Sequence, residues 1–147
     1  MADVTVSADV DTMMGSANNA AIRSNIGVGT QQLSATFDGG GLVLVAASKV
    51  RVRVPFACTI TAATIVADQS GSAVVDIWKD TYANYPPTVA DTITASAKPT
   101  LSSAIKNTDS TLTGWTVALA AGDWLFFNLD SITTCTYVRV DLSVTRA

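Results

Sequence analysis

From residue 49 onward, apolar and polar positions alternate with a period of two. In KVRVRV, Val50, Val52 and Val54 fall on one face and Lys49, Arg51 and Arg53 on the other. This is the pattern of a half-buried strand that ends at Pro55. CTITAATIVAD reads as a second strand closed by the turn DQSGS, and AVVDIWK as a third. WTVAL leads through the turn AAGD into WLFFNLD, and TTCTYVRVDLSVTR aligns Val138, Val140, Leu142 and Val144 on one face. GLVLVA, a piece near DTITAS and residues 110–112 give weaker strand patterns. The gap from Thr81 to Thr111 holds Pro86, Pro87 and Pro99 and reads as loop with one short edge strand. Roughly seven or eight short strands between Gly, Pro, Asp and Ser turns predict a mainly β fold, an antiparallel, jelly-roll-like β-sandwich over residues 37–147.

One run breaks the alternation. In WLFFNLD the residues Trp124, Leu125, Phe126, Phe127 and Leu129 are apolar on both faces, whereas a sandwich strand keeps one face wet. A neighbouring subunit is the first candidate for the second cover, which makes Trp124, Phe126 and Phe127 the expected oligomer interface. The N-terminal arm and a long loop are the other two candidates.

Residues 1–36 follow a different grammar and are predicted to form a short helical N-terminal arm. Ser7 is a good N-cap, and Asp9 and Asp11 sit where a helix start favours negative charge. Gly15 can end that turn; Ser16 can cap a second helix over residues 17–25, terminated by Gly27. Ile22 and Ile26 fall four apart on one face, with Met13 and Met14 close by in sequence. Helices this short do not stand alone in water. Met13, Met14, Ile22, Arg23 and Ile26 are therefore the expected contacts with a partner surface, and Gly39, Gly40 and Gly41 an expected hinge between arm and body.

The bulk composition narrows the function classes. A chain of 147 residues is long enough for one domain with a full core. With 48% hydrophobic and only 14% charged residues, apolar surface is expected to remain for association. No apolar run approaches the roughly 20 residues of a membrane helix, and no basic and apolar leader opens the chain, so no membrane is expected and assembly in a cytoplasm is. A net charge of −3 gives no footprint for nucleic acid. Histidine is absent and all 12 acidic residues are Asp, which removes the commonest general base and metal ligand. Cys58 and Cys135 can pair only if their strands are adjacent; in a reducing compartment two buried thiols are expected.

Candidate chemistry is sparse, and neither a catalytic residue, a metal nor a cofactor is predicted. Asp9 and Asp11 resemble the start of an EF-hand loop, but Met13 occupies the next ligand position and no Glu closes it. Asp68, Asp109, Asp123 and Asp130 lie beside turns, where turn capping accounts for them better than calcium. Lys49, Lys79, Lys98 and Lys106 fall in no motif that places one beside a nucleophilic Ser, and FDGGGL has neither a phosphate-loop nor a dinucleotide context. The loop in VVDIWKDTYANYPPT has two readings. Tyr82 and Tyr85, with Asp80 and Asn84, can form a shallow platform for a glycan or receptor, or the same aromatics can anchor a packed turn stiffened by Pro86 and Pro87. Packing is the simpler account; Tyr82, Asn84 and Tyr85 stay as the candidate recognition residues.

The ordered series ADQSGS, DIWKD, PPT, AKPTLS, LTGW and AGD, within residues 67–131, resembles the β-rich C-terminal domain of many bacteriophage virion proteins of the tail-fibre and minor-structural type. Ala17, Ala20, Ala21, Arg23, Ile26 and Gly27 are similar to a short helical segment, A-x-x-A-A-x-R-x-x-[IL]-G, that precedes the β domain of phage fibre proteins. The resemblance implies a non-enzymatic virion component assembled in the host cytoplasm, a homotrimer with a jelly-roll head. Only about 30 residues precede the β domain, without a fibre's shaft. That favours a capsid decoration (cement) protein or short head spike held to the major capsid protein or another virion protein. The alternative it implies is a tail-fibre-type receptor-binding tip touching host-surface glycan.

Overall fold

The computed structural model describes residues 21–22 and 29–147. Seven strands follow in order: β1 (Thr30–Asp38), β2 (Lys49–Arg53), β3 (Cys58–Asp80), β4 (Thr100–Asp109), β5 (Ala118–Leu119), β6 (Trp124–Thr133) and β7 (Tyr137–Arg146). All pairings are antiparallel and belong to one sheet of order β1-β7-β3-β6-β2, with β4 and β5 also on β3. The fold is therefore mainly β, an antiparallel sheet that curls on itself.

The curl is built on β3. Its first part, Cys58 to Ala67, pairs with β7, and its second part, Ser72 to Asp80, pairs with β6. β7 and β6 thus lie end to end along one edge of a single 23-residue strand. The sequence pattern instead predicts two strands separated by the turn DQSGS. Gly71 explains the difference. A methyl group there would sit 2.5 Å from Cys135 Sγ and 2.6 Å from both Thr133 O and Thr134 Oγ1, so only glycine lets the β6–β7 turn close against β3. The strand bends where the pattern predicts a turn, and the ladder to β4 slips register between Val66 and Gly71.

Curling puts both limbs around one core. Leu33, Ala35 and Phe37 of β1 pair with Leu142, Val140 and Val138 of β7, while Val75 and Ile77 of β3 pair with Leu129 and Phe127 of β6. Val138, Val140, Leu142 and Val144 are fully buried, as their alternation predicts; each such side chain contributes about 1.5–3 kcal/mol.

Several expectations change. Residues 30–36, placed with the arm by the sequence pattern, form β1 paired to β7. Beyond Ala21 and Ile22, which are helical, no helical arm is evident among the described residues. Met13, Met14, Arg23 and Ile26 lie outside them, and Ile22 is half-buried. The three glycines are not a hinge. Gly40 and Gly41 take φ of 61° and 88° in a tight turn where Gly40 N–H donates to Asp38 Oδ1 at 2.8 Å, inside the β body. GLVLVA and residues 110–112 are not strands, the piece near DTITAS makes only a single bridge from Thr92 to Trp78, and the strand within the 81–111 gap is instead the ten-residue β4.

Candidate functional site: an aromatic face, a cleft and an apolar tip

The outer face of the β2-β6-β3 limb is built in rows by its register. Lys49, Asn128 and Asp76 form one row, Arg51, Phe126 and Trp78 the next, and Arg53, Trp124 and Asp80 the third. Each row sets a cation of β2 beside β6. The Lys49 ammonium lies 5.5 Å from the Trp78 ring centre and the Arg51 guanidinium 4.9 Å from that of Phe126, both within cation–π range.

The chain's own segment 81–99 covers this face. The Tyr85 ring meets Trp124 and Phe126 edge-on, each at 5.4 Å between centres, the arrangement that aromatic quadrupoles favour. Phe127 points into the core at 0% exposure and Phe126 is left with 3% in the single chain. Phe126 and Phe127 are thus already covered within the single chain, the second cover being a loop, the third of the three candidates, while Trp124 stays half-buried. Tyr85 belongs to that packing, and Asn84 donates from Nδ2 to Asp80 Oδ1 at 3.1 Å. All three candidate recognition residues remain exposed, Tyr82 at 77% and Tyr85 at 43%, but of the three Tyr82 is not tied into these contacts.

What pins the segment is a buried carboxylate. Asp76, 1% exposed, accepts on Oδ1 from the hydroxyls of Thr92 at 2.6 Å and Thr94 at 2.7 Å. Its Oδ2 lies 3.1 Å from Lys98 Nζ, which also holds Asp130 at 2.7 Å. Burial alone pushes the Asp76 carboxyl up, but the Thr92 and Thr94 hydroxyls and Lys98 outweigh it and leave it below the usual carboxylate value. Asp130, ahead of the opposing effect of burial, raises Lys98, and Asp76 adds to it. Sequence reasoning missed this network. The one signal was a lone Asp in the apolar run VVDIW, since a buried charge needs partners.

Beside the covered face lies an open cleft of about 700 Å3. Arg53, Tyr82, Asp123 and Trp124 line it, with Thr81 and the small residues at 83 and 120–122 completing the walls. Asp123 Oδ2 accepts from Ala120 N–H at 2.9 Å and lies 3.7 Å from Lys79 Nζ, so its charge is already met. Among the described residues the Arg53 guanidinium has no hydrogen-bond or ion-pair partner. Two other turn aspartates act as caps, Asp68 accepting from the Thr136 hydroxyl and from the N–H groups of Thr136 and Tyr137 and Asp109 from those of Thr111 and Leu112, whereas Asp130 accepts from the Lys98 and Asn128 side chains.

At the other end of the body, where β3 bends, residues 39–48 form an apolar tip. Leu42, Val43 and Val45 are 75%, 54% and 72% exposed, while Leu44 between them is buried. The loop is held firmly: Leu44 N–H donates to Cys135 O at 3.0 Å, Ala47 N–H to Leu129 O at 2.7 Å and the Ser48 hydroxyl to Val45 O at 2.6 Å. Cys135 sits beneath this tip, about 35 Å of strand from Cys58, given 3.2–3.4 Å per residue. The thiols are free and buried, and burial first, then the Asp123 carboxylate, push that of Cys58 up. Compared with models of protein families and with curated proteins, the chain matches none.

Proposed function

We propose that this protein is a non-enzymatic structural component of a bacteriophage virion, a homotrimeric capsid decoration protein or short head spike whose body is a jelly-roll-like sandwich. The resemblance in residues 67–131 and 17–27 supports the virion reading. The single observation that carries a role in assembly is the apolar tip. A chain that closes its core and covers the outer face of β6 with its own loop still presents Leu42, Val43 and Val45 to solvent on a stiff support. Contiguous exposed apolar residues of this kind mark protein contacts.

In this reading copies of the chain meet at the tip, and residues 1–28 hold the trimer to the shell. Burying one Leu and two Val side chains that are about half to three-quarters exposed contributes about 3–6 kcal/mol per copy before ordering costs. Three arms on one trimer then multiply the effective affinity for the particle without new contacts. The test is to add full-length protein, and protein lacking residues 1–28, to particles assembled without it. Full-length protein is expected to bind and to raise particle stability, and the shortened chain to do neither. Equal binding by both would overturn the arm's role, and binding only to tails would favour the receptor-tip alternative.

A further inference from the structure

We propose that the cleft between Tyr82 and Trp124 is a binding site for a carboxylate-bearing sugar, with Arg53 as the group that recognises the carboxylate. The inference does not depend on where in a particle the protein sits.

Three features of the cleft select this ligand class. The first is charge. Arg53 and Lys106 are the cationic side chains that neither an acidic group, a carbonyl nor an aromatic ring engages among the described residues, and Arg53 is the one in the cleft. A guanidinium presents a planar fork of donors that matches a carboxylate bidentately. One guanidinium with the neutralised Asp123 nearby suits a monoanion; a phosphate dianion calls for more positive charge than this cleft has.

The second feature is the apolar surface. Trp124 is half-buried and held in place by Tyr85, while Tyr82 is exposed beside it. A rigid indole and a free phenol offer flat faces for the C–H side of a sugar ring, with the Tyr82 hydroxyl as a polar handle. The third is space. About 700 Å3 falls in the usual range for small-ligand sites, and small residues keep it open. At Gly122, φ is 93° and an added methyl group would approach Arg53 Nη2 to 3.8 Å. The backbone therefore passes beside the guanidinium at ordinary contact distance, on a residue whose positive φ favours glycine.

Calorimetric titration of the full-length protein with glucuronate, glucose, acetate and an Asp-containing tripeptide tests the proposal. Glucuronate is expected to bind about tenfold or more tighter than glucose, a difference of about 1.4 kcal/mol. Arg53→Gln should bring glucuronate down to the level of glucose, Tyr82→Ala should weaken both sugars, and Lys106→Gln should change neither. Circular dichroism of each variant checks that the fold is kept, as expected for three surface side chains. No binding by the wild type, equal binding of glucuronate and glucose, or an unchanged Arg53→Gln would overturn the proposal. So would acetate or the peptide binding as tightly as glucuronate, since the site would then recognise carboxylates of any origin.

Discussion

Replacing Asp76 by Asn removes one charge and leaves the side chain's shape. In the wild type this carboxylate, 1% exposed, takes two hydroxyl hydrogen bonds at 2.6 and 2.7 Å and an ammonium at 3.1 Å. Removing one partner of a buried ion pair costs about 3–5 kcal/mol. Lys98 is not stranded here, because it is 29% exposed and keeps Asp130 at 2.7 Å, so the cost belongs at the low end. Hydrogen bonds to a charged acceptor contribute about 1.5–3 kcal/mol each, and weakening those from Thr92 and Thr94 brings the same figure, about 3 kcal/mol. With a urea slope of about 2 kcal/mol per M, the unfolding midpoint falls by about 1.5 M. The effect must also depend on pH. The Asp76 carboxyl is depressed in the folded state, so its contribution is present above the unfolded value of about 3.9 and lost as pH falls through the folded value. Lys98 is raised, so its share is present below about 10.4 and lost as pH rises through its folded value. Wild type and Asp76→Asn should differ most between those limits and converge in acid. A loss under about 1 kcal/mol at neutral pH, or one equal at pH 3 and pH 7, would refute the role given to this carboxylate.

Gly71→Ala should destabilise by about 1–3 kcal/mol or more, because the new methyl group meets backbone as well as Cys135 Sγ; thermal melts check this, and an unchanged melt would remove the reason given for the bend in β3. Tyr85→Ala should uncover Trp124 and Phe126, seen as increased binding of an apolar dye with the secondary structure kept. Neither thiol should react with a disulfide reagent in the folded protein, since both are buried; both should react in denaturant.

The strands were legible where one face is dry and the other wet. Lys49–Arg53 and Tyr137–Arg146 follow their alternation residue by residue, because burial on one face of a pleated strand has period two. What the pattern could not supply is the identity of a covering element. Trp124 and Phe126 announce a second dry face, but a loop, an arm and a subunit leave the same mark in sequence; the segment that covers them lies some 40 residues earlier, so no local signal joins them. The same holds for Asp76, whose partners at 92, 94 and 98 are polar residues in a stretch read as loop with a weak strand pattern near DTITAS. Gly71 misled in the opposite way. Ser and Gly in DQSGS are turn residues by local preference, and only the approach of Cys135 from the β6–β7 turn shows why glycine is needed within a continuous strand. The tip was hidden because GLVLVA is as apolar as any strand, and nothing local says that Leu44 alone turns inward. In the candidate site, Tyr82 was visible in the sequence, whereas Arg53 and Trp124 join it only through the pairing of β2 with β6.

Sedimentation equilibrium of the full-length chain at micromolar concentration, beside a variant with Leu42, Val43 and Val45 all changed to Ser, tests most directly whether copies meet at the tip. The wild type is expected at about three times the 15.2 kDa chain mass and the variant at the mass of one chain, with matching circular dichroism. A wild type that sediments as a monomer, or a variant that stays trimeric, would contradict it.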